Sequence, residues 1–312
     1  MNNAPCVPCP CGLETKLLNS TSDLGEARGV AYGLAAYGIW GCFPLFFSLF
    51  EGIPSWEVLI HRIIWCCVFL VLLVSVLGRW QPVVDALFHP ARLGRVFACA
   101  LLIGANWAIF IYAVETRQVF QSSLGYFMTP LVNVALGILI LKERMARLQA
   151  WAVGLAGGAI AIQLLLLGQL PWIALLLALT FGTYGLLRKQ VLLDGLSGLF
   201  VETLLLLPIG LIALVWLVGS GGSHFLDNAW QSSLLVASGV VTALPLMLFA
   251  GATRRLRLAT VGFLMYINPT MQFLTALLIF GETLTRVQVA SFGLIWIALA
   301  LYSWSAWQQR SR

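Results

Sequence analysis

Charge is the scarcest thing in this chain. Of its 312 residues only 10% are Asp, Glu, Lys or Arg, and only 3 are histidine, where a soluble domain carries about 25% charged residues. So little charge excludes an ordinary water-soluble domain. Catalytic signatures are missing as well. No G-x4-G-K-[ST] occurs and no stretch is left for a soluble nucleotide domain, which disfavours an ATP-driven pump. H-E-x2-H and G-x-S-x-G are absent. His61 is the one histidine inside an apolar segment, so an enzyme is not expected.

Metal ligands are equally thin. Cys6, Cys9 and Cys11 form C-x2-C-x-C in a Pro-rich N-terminal tail, but a structural zinc normally takes four ligands and no second Cys or His cluster accompanies them. Cys42, Cys66, Cys67 and Cys99 lie in apolar runs, where a thiol behaves as a small hydrophobe. Neither a metal site nor a cofactor is expected. The tail, residues 1–28, reads as disordered and holds no apolar core long enough for a signal peptide.

What is there is apolar length. Hydrophobic residues make up 60% of the chain and mean hydropathy is +0.93. A bilayer span needs about 20 apolar residues, and ten segments fit: Gly29–Phe50, Trp56–Leu77, Arg95–Val114, Gln118–Leu141, Leu148–Leu167, Pro171–Leu187, Leu196–Val218, Trp230–Ala250, Leu258–Phe280 and Val287–Trp307. The expected fold is an all-α polytopic membrane protein. The net charge of +6 is no sign of nucleic acid, because the basic residues sit singly between apolar runs, as topology signals do. With the N-terminus inside, fifteen of the 18 Lys and Arg fall on the inner side, Arg117 and Arg286 on the outer, and Arg62 within a span. The positive-inside rule therefore places both termini, including residues 308–312, in the cytoplasm.

One pattern occurs twice. Pro130, Glu143, Arg147 and Gln149 recur as Pro269, Glu282, Arg286 and Gln288, all at an offset of 139 residues. Five spans separate the copies, so Glu143 falls on the inner side and Glu282 on the outer. Residues 29–167 and 171–307 thus read as two five-helix repeats of inverted topology, an arrangement that gives one central site two similar gates. The (i, i+4) pairs Glu143/Arg147 and Glu282/Arg286 read as ion-pair devices opening spans five and ten.

Ionisable groups inside spans are costly and face a cavity or a partner. Span two carries Glu57, His61 and Arg62; Glu57, His61 and Trp65 share a face, and Arg62 points aside. The cluster suits an anionic or zwitterionic solute, with His61 able to carry a proton, or else a fixed structural ion pair. Glu202 in span seven has three readings: protonated, paired with Arg62, or placed near the inner headgroups. Asn106, Asn268 and Gln272 suit either a solute or helix-to-helix hydrogen bonds. Thr129-Pro130 and Asn268-Pro269 place proline rings inside spans, freeing carbonyls near mid-membrane. Trp40-Gly41 and Tyr184-Gly185 occupy matched depths in the two halves, and with Tyr266 they would give a cavity aromatic walls. Gly154 and Gly158 form G-x3-G in span five, expected at a close helix contact inside the bundle or at a homodimer face.

His61-Arg62-x2-Trp65, Ala105-Asn106-Trp107, Ser123-Leu-Gly125-Tyr126-Phe127 before Pro130, and Thr242-Ala-Leu-Pro245-Leu before Thr260-Val-Gly262-Phe263-Leu264 closely resemble RarD-type transporters of the EamA group, in the drug/metabolite transporter superfamily. The resemblance runs from about Gly29 to Trp307. It implies a ten-helix, cofactor-free, inverted-repeat carrier in a bacterial inner membrane, surrounded by lipid and exporting a small metabolite or drug. The Cys-rich tail is outside the pattern. Thr129 stands where the family tends to have Asn, and Gln121 where it tends to have an acid, so proton coupling would fall to His61 or Glu202. The substrate-binding set expected is Trp40, His61, Arg62, Trp65, Asn106, Tyr184, Glu202, Tyr266, Asn268 and Gln272. An intramembrane enzyme and a channel or sensor are the rival readings.

Overall fold

A run of apolar residues in lipid has no water to satisfy its backbone, so it must close its hydrogen bonds internally, as a helix does. The computed structural model describes residues 27–141, 147–167, 170–191, 193–253, 255–256 and 264–310, and every regular element among them is helical. A first helix, α1 (27–41), leads through a turn at Cys42 into α2 (Phe43–Phe47). Then come α3 (Ser55–Val76), α4 (Trp80–Leu87), α5 (Pro90–Glu115), α6 (Val119–Leu141) and α7 (Arg147–Leu167). The second half holds α8 (Trp172–Gln190), α9 (Gly195–Gly219), α10 (Ala229–Thr253), α11 (Ile267–Leu274), a π-helical turn (Thr275–Ile279) and α12 (Arg286–Arg310). Glu143 and most of the Cys-rich tail lie outside the described residues.

Six described helices are long and apolar enough to cross a membrane, among them α3, α9 and α10, and three further apolar stretches are shorter. The protein is thus a multi-helix membrane protein. Ten continuous spans are more than the described helices show. The first span runs Ala27–Phe47 through a turn residue at Cys42, with Pro44 in the first turn of α2. The described part of the ninth breaks into turn, helix and π turn. Pro269 is the third residue of α11, in the first turn where a missing N–H costs nothing. Pro130 is inside α6, as expected from sequence. An amphipathic helix, α4, occupies a stretch the hydropathy reading left as a loop, burying Val83 and Ala86 and setting Trp80 edge-on to Phe200.

Packing joins the two halves along their length. α3 packs on α9, α6 on α11, and α7 on α12, while α8 fits between α5 and α6. Direction follows from the ends. α3 starts, and α9 finishes, where Glu57 meets the loop at Ser223 and His224. α6 starts where Glu282, just past the π turn, meets it. Counterpart segments therefore run antiparallel. Contacts between Arg117 and Glu51, and between Ser55 N–H and Glu115, gather these loops at one end of the bundle. The α3–α4 and α8–α9 corners, joined by Arg79 and Asp194, form the other.

The close helix contact is not at G-x3-G. A methyl added at Gly154 or Gly158 meets nothing within 4 Å. A Cβ at Gly125 would lie 2.7 Å from the Ala174 carbonyl oxygen, and one at Gly239 2.3 Å from the Trp65 carbonyl carbon. Those two glycines let α6 approach α8 and α10 approach α3.

Candidate functional site

The turn at Cys42 aims Phe43 and Phe47 toward α3, and there they meet Arg62. Its guanidinium carbon lies 4.4 Å from the Trp107 ring centroid, 5.1 Å from Phe47 and 5.6 Å from Phe43. Arg62 is 3% exposed, yet its Nε and Nη1 have no hydrogen-bond partner. Beside it, Asn106 donates to the Leu177 carbonyl at 3.1 Å and to the Thr180 hydroxyl at 2.9 Å, and accepts from Tyr126 at 3.2 Å. The Asn106 amide is thus committed to α8 and α6.

His61, one helical step round, belongs to another group. It is 2% exposed, with both ring nitrogens unpartnered. Phe225 stacks on it at 4.8 Å between centroids and lies 6.2 Å from Trp65, whose Nε1 is also unpartnered. The loop carrying Phe225 is held by Glu57, which is wholly buried. Glu57 accepts from the His224 amide at 2.7 Å, from His224 Nδ1 at 2.7 Å and from Ser223 Oγ at 3.3 Å. Sequence reasoning placed Glu57 in a cluster with His61; its partner is His224, missed because that residue lies in a loop rather than a span.

Glu202 is at the opposite end. It accepts from Tyr184 at 3.2 Å and pairs with Arg188 Nε at 3.4 Å, while Arg188 also donates to the Asp194 carbonyl at 2.9 Å. Of the three sequence readings, pairing with Arg62 is therefore excluded in this conformation. The partner is Arg188, read from sequence only as a topology charge.

Gln272, bonded to Asn268 on its own helix, ties α11 to α6. Gln272 donates to Asn268 at 2.8 Å and accepts from Ser122 at 2.9 Å, and Ser123 donates to the Pro269 carbonyl at 2.8 Å. Trp40 packs with Tyr37 and Phe249, and Tyr266 stacks on Phe127. The ten expected residues thus fall into separate groups. Two hollows of about 290 and 310 Å³ lie between Trp56 and Trp172 and between Phe47 and Arg117, and none of the ten lines either. Neither hollow is the single shared cavity expected from sequence.

Among the described residues Glu282 does not form the pair with Arg286 that the spacing predicts. Glu282 lies in the loop before α12 and accepts from the Val119 and Phe120 amides at 2.7 and 2.9 Å, so it caps α6, more than 160 residues away. Burial raises its carboxyl above the ordinary value, and the two amides and Arg117 oppose that shift. Arg286 and Arg147 are exposed first residues of α12 and α7. Glu282→Ala should cost about 1–2 kcal/mol, the range for lost caps, read as a lowered melting temperature in detergent. An unchanged melt would mean that water replaces the cap.

The EamA-like transporter family model matches twice, at residues 27–165 and 170–304. An uncharacterized transporter of Vibrio cholerae is 42% identical over 285 residues, covering 91% of this chain and 94% of that one. Protein RarD of Salmonella typhi is 44% identical, covering 88% and 94%. A chloramphenicol-sensitive protein RarD of Pseudomonas aeruginosa is 32% identical, covering 90% and 95%. One crystal structure superposes with a TM-score of 0.56 at 14% identity, covering 91% of this chain and 99% of that one, a likeness of fold alone.

Proposed function

Since the chain belongs to the EamA-like transporter family, and so to a family of membrane transporters, we propose that it is a secondary transporter working by alternating access. Residues 29–167 and 171–307 act as inverted halves of five spans each, in a bacterial inner membrane with both termini cytoplasmic. The solute is a small metabolite or amphipathic drug-like molecule, moved outward and coupled to protons through His61 or Glu202. One observation carries this reading. α3 packs antiparallel on α9 and α6 on α11, each against the segment that the sequence repeat makes its counterpart. A pseudo-two-fold axis in the membrane plane produces that pairing, and a channel has no need of it.

Under this reading the conformer is occluded. Glu57 with His224 closes the outer end over His61, and Glu202 with Arg188 closes the inner end. Transport alternates between releasing the two. Counterflow in proteoliposomes tests it, using amino acids, their analogues and amphipathic drugs with chloramphenicol among them. A carrier exchanges solute saturably and one for one. Uncoupled flux would replace the reading with a channel, and a chemically altered solute with an enzyme. His61→Ala should abolish exchange while leaving the melt near wild type; normal exchange would remove His61 from the mechanism.

A further inference from the structure

Every buried acid described above is answered by the protein itself. Glu57 has His224 and Ser223, Glu202 has Arg188 and Tyr184, and Glu282 has two backbone amides. The other arginines with described polar contacts are answered too: Arg79 by Asp194, Arg117 by Glu51, and Arg255 by the Gly251 carbonyl. Arg62 is different. It is buried on three aromatic rings, has no carboxylate within 4 Å among the described residues, and leaves Nε and Nη1 without acceptors. Aromatic faces attract a cation, but they accept no hydrogen bond along the guanidinium edge. Burying a charge with its donors idle is costly and is ordinarily relieved by a paired anion.

We infer that Arg62 receives an anionic group of the solute, so that the transported class is small organic anions or zwitterions with an aromatic or apolar body. The carboxylate, or an equivalent acidic group, accepts from the idle N–H groups of Arg62. The aromatic rings around Arg62 suit the rest of the molecule once they part to admit it. Phe43, Phe47 and Phe110 pack on one another, and Tyr126 sits 6.2 Å from Phe110 with its hydroxyl on Asn106. Charge neutralisation at Arg62 then makes the loaded site cheaper to bury than the empty one, which favours movement of the carrier with solute aboard. What the anion is for rests on the transport reading; the site itself does not.

The test is thermal unfolding of the purified full chain in neutral detergent. Benzoate, phenylacetate, indole-3-acetate and phenylalanine are each compared with the matching primary amide, and inorganic phosphate serves as a control without an apolar body. At least one acid should raise the melting temperature saturably, with its amide bound roughly tenfold more weakly or worse, the scale of one lost charge-assisted hydrogen bond. Arg62→Gln should erase the acid's shift and Arg62→Lys should keep part of it. The inference is overturned if no acid outperforms its amide, if the shift survives in Arg62→Gln, or if phosphate matches the acids. Should Arg62→Gln fail to fold, the acid–amide comparison in the wild type and the Lys variant decide. Acids that bind but show no counterflow would sink the transport reading and leave the anion site; counterflow indifferent to charge would do the reverse.

Discussion

Gly239→Val should lower the melting temperature more than the loss of any single hydrogen bond in this protein. A Cβ at Gly239 would lie 2.3 Å from the Trp65 carbonyl carbon, 2.6 Å from its oxygen and 2.5 Å from the Cys66 nitrogen. All three are backbone atoms of α3, and no rotamer change removes them. α10 must therefore back away from α3, loosening a contact that runs along both helices. Overpacking a core usually costs about 1–3 kcal/mol when neighbouring side chains can give way; here they cannot, so the cost falls at or beyond that range. Gly154→Ala is the control, since its methyl meets nothing within 4 Å. Alanine in a helix interior is favoured over glycine by roughly 0.5–1 kcal/mol, so that variant should melt at or slightly above wild type. If Gly239→Val melts like Gly154→Ala, the close approach of α10 and α3 is wrong.

That contrast shows where the sequence stops being readable. Helix existence was legible, because an apolar run in lipid has one way to satisfy its backbone. Which face of a helix meets which neighbour was not. Helices apolar nearly all round carry no stripe to mark the packed side, so G-x3-G at Gly154 and Gly158 looked like the contact while Gly125 and Gly239, without a partner glycine four residues on, make it. The polar site divides the same way. His61, Arg62, Asn106 and Glu202 stood out because polar groups in spans are rare, and all four are buried. Their partners were hidden. Arg188 and His224 sit near helix ends or in loops, where charge is common, and Glu282 reaches α6 across more than 160 residues. Local spacing predicted Glu282 with Arg286; the backbone amides at a helix start are better partners for a carboxylate. The turns at Cys42 and at residues 265–266 were hidden for another reason. Hydropathy is blind to a turn whose side chains stay apolar.

Glu57→Ala should release the loop that covers His61. The carboxylate is wholly buried and collects two donors from His224 and one from Ser223. The loop it holds contains Leu226 at φ +77°, a backbone conformation that costs a non-glycine residue on the order of 1–3 kcal/mol. The Glu57 clamp and the bond from the Leu226 N–H to Ser232 Oγ hold it there. The His224 side chain is 38% exposed and can turn to water, so the loss is that of hydrogen bonds to a charged group, about 1.5–3 kcal/mol. That leaves the ring contacts of Phe225 with His61 and Trp65 to hold the loop on α3. Two readouts separate release of the loop from general unfolding. In a chain whose other exposed thiols are replaced by serine, a cysteine substituted for His61 should react with a membrane-impermeant maleimide added from the Glu57 side only when Glu57 is also replaced. Counterflow should fall because the Glu57 end no longer closes, while α6 and α9 stay protected from hydrogen exchange. Glu57→Gln, which keeps an acceptor for the His224 amide, should fall between the two. Maleimide reactivity unchanged by Glu57→Ala would show that Phe225 stays on His61 without the carboxylate, and the loop would then be ordinary packing rather than a gate.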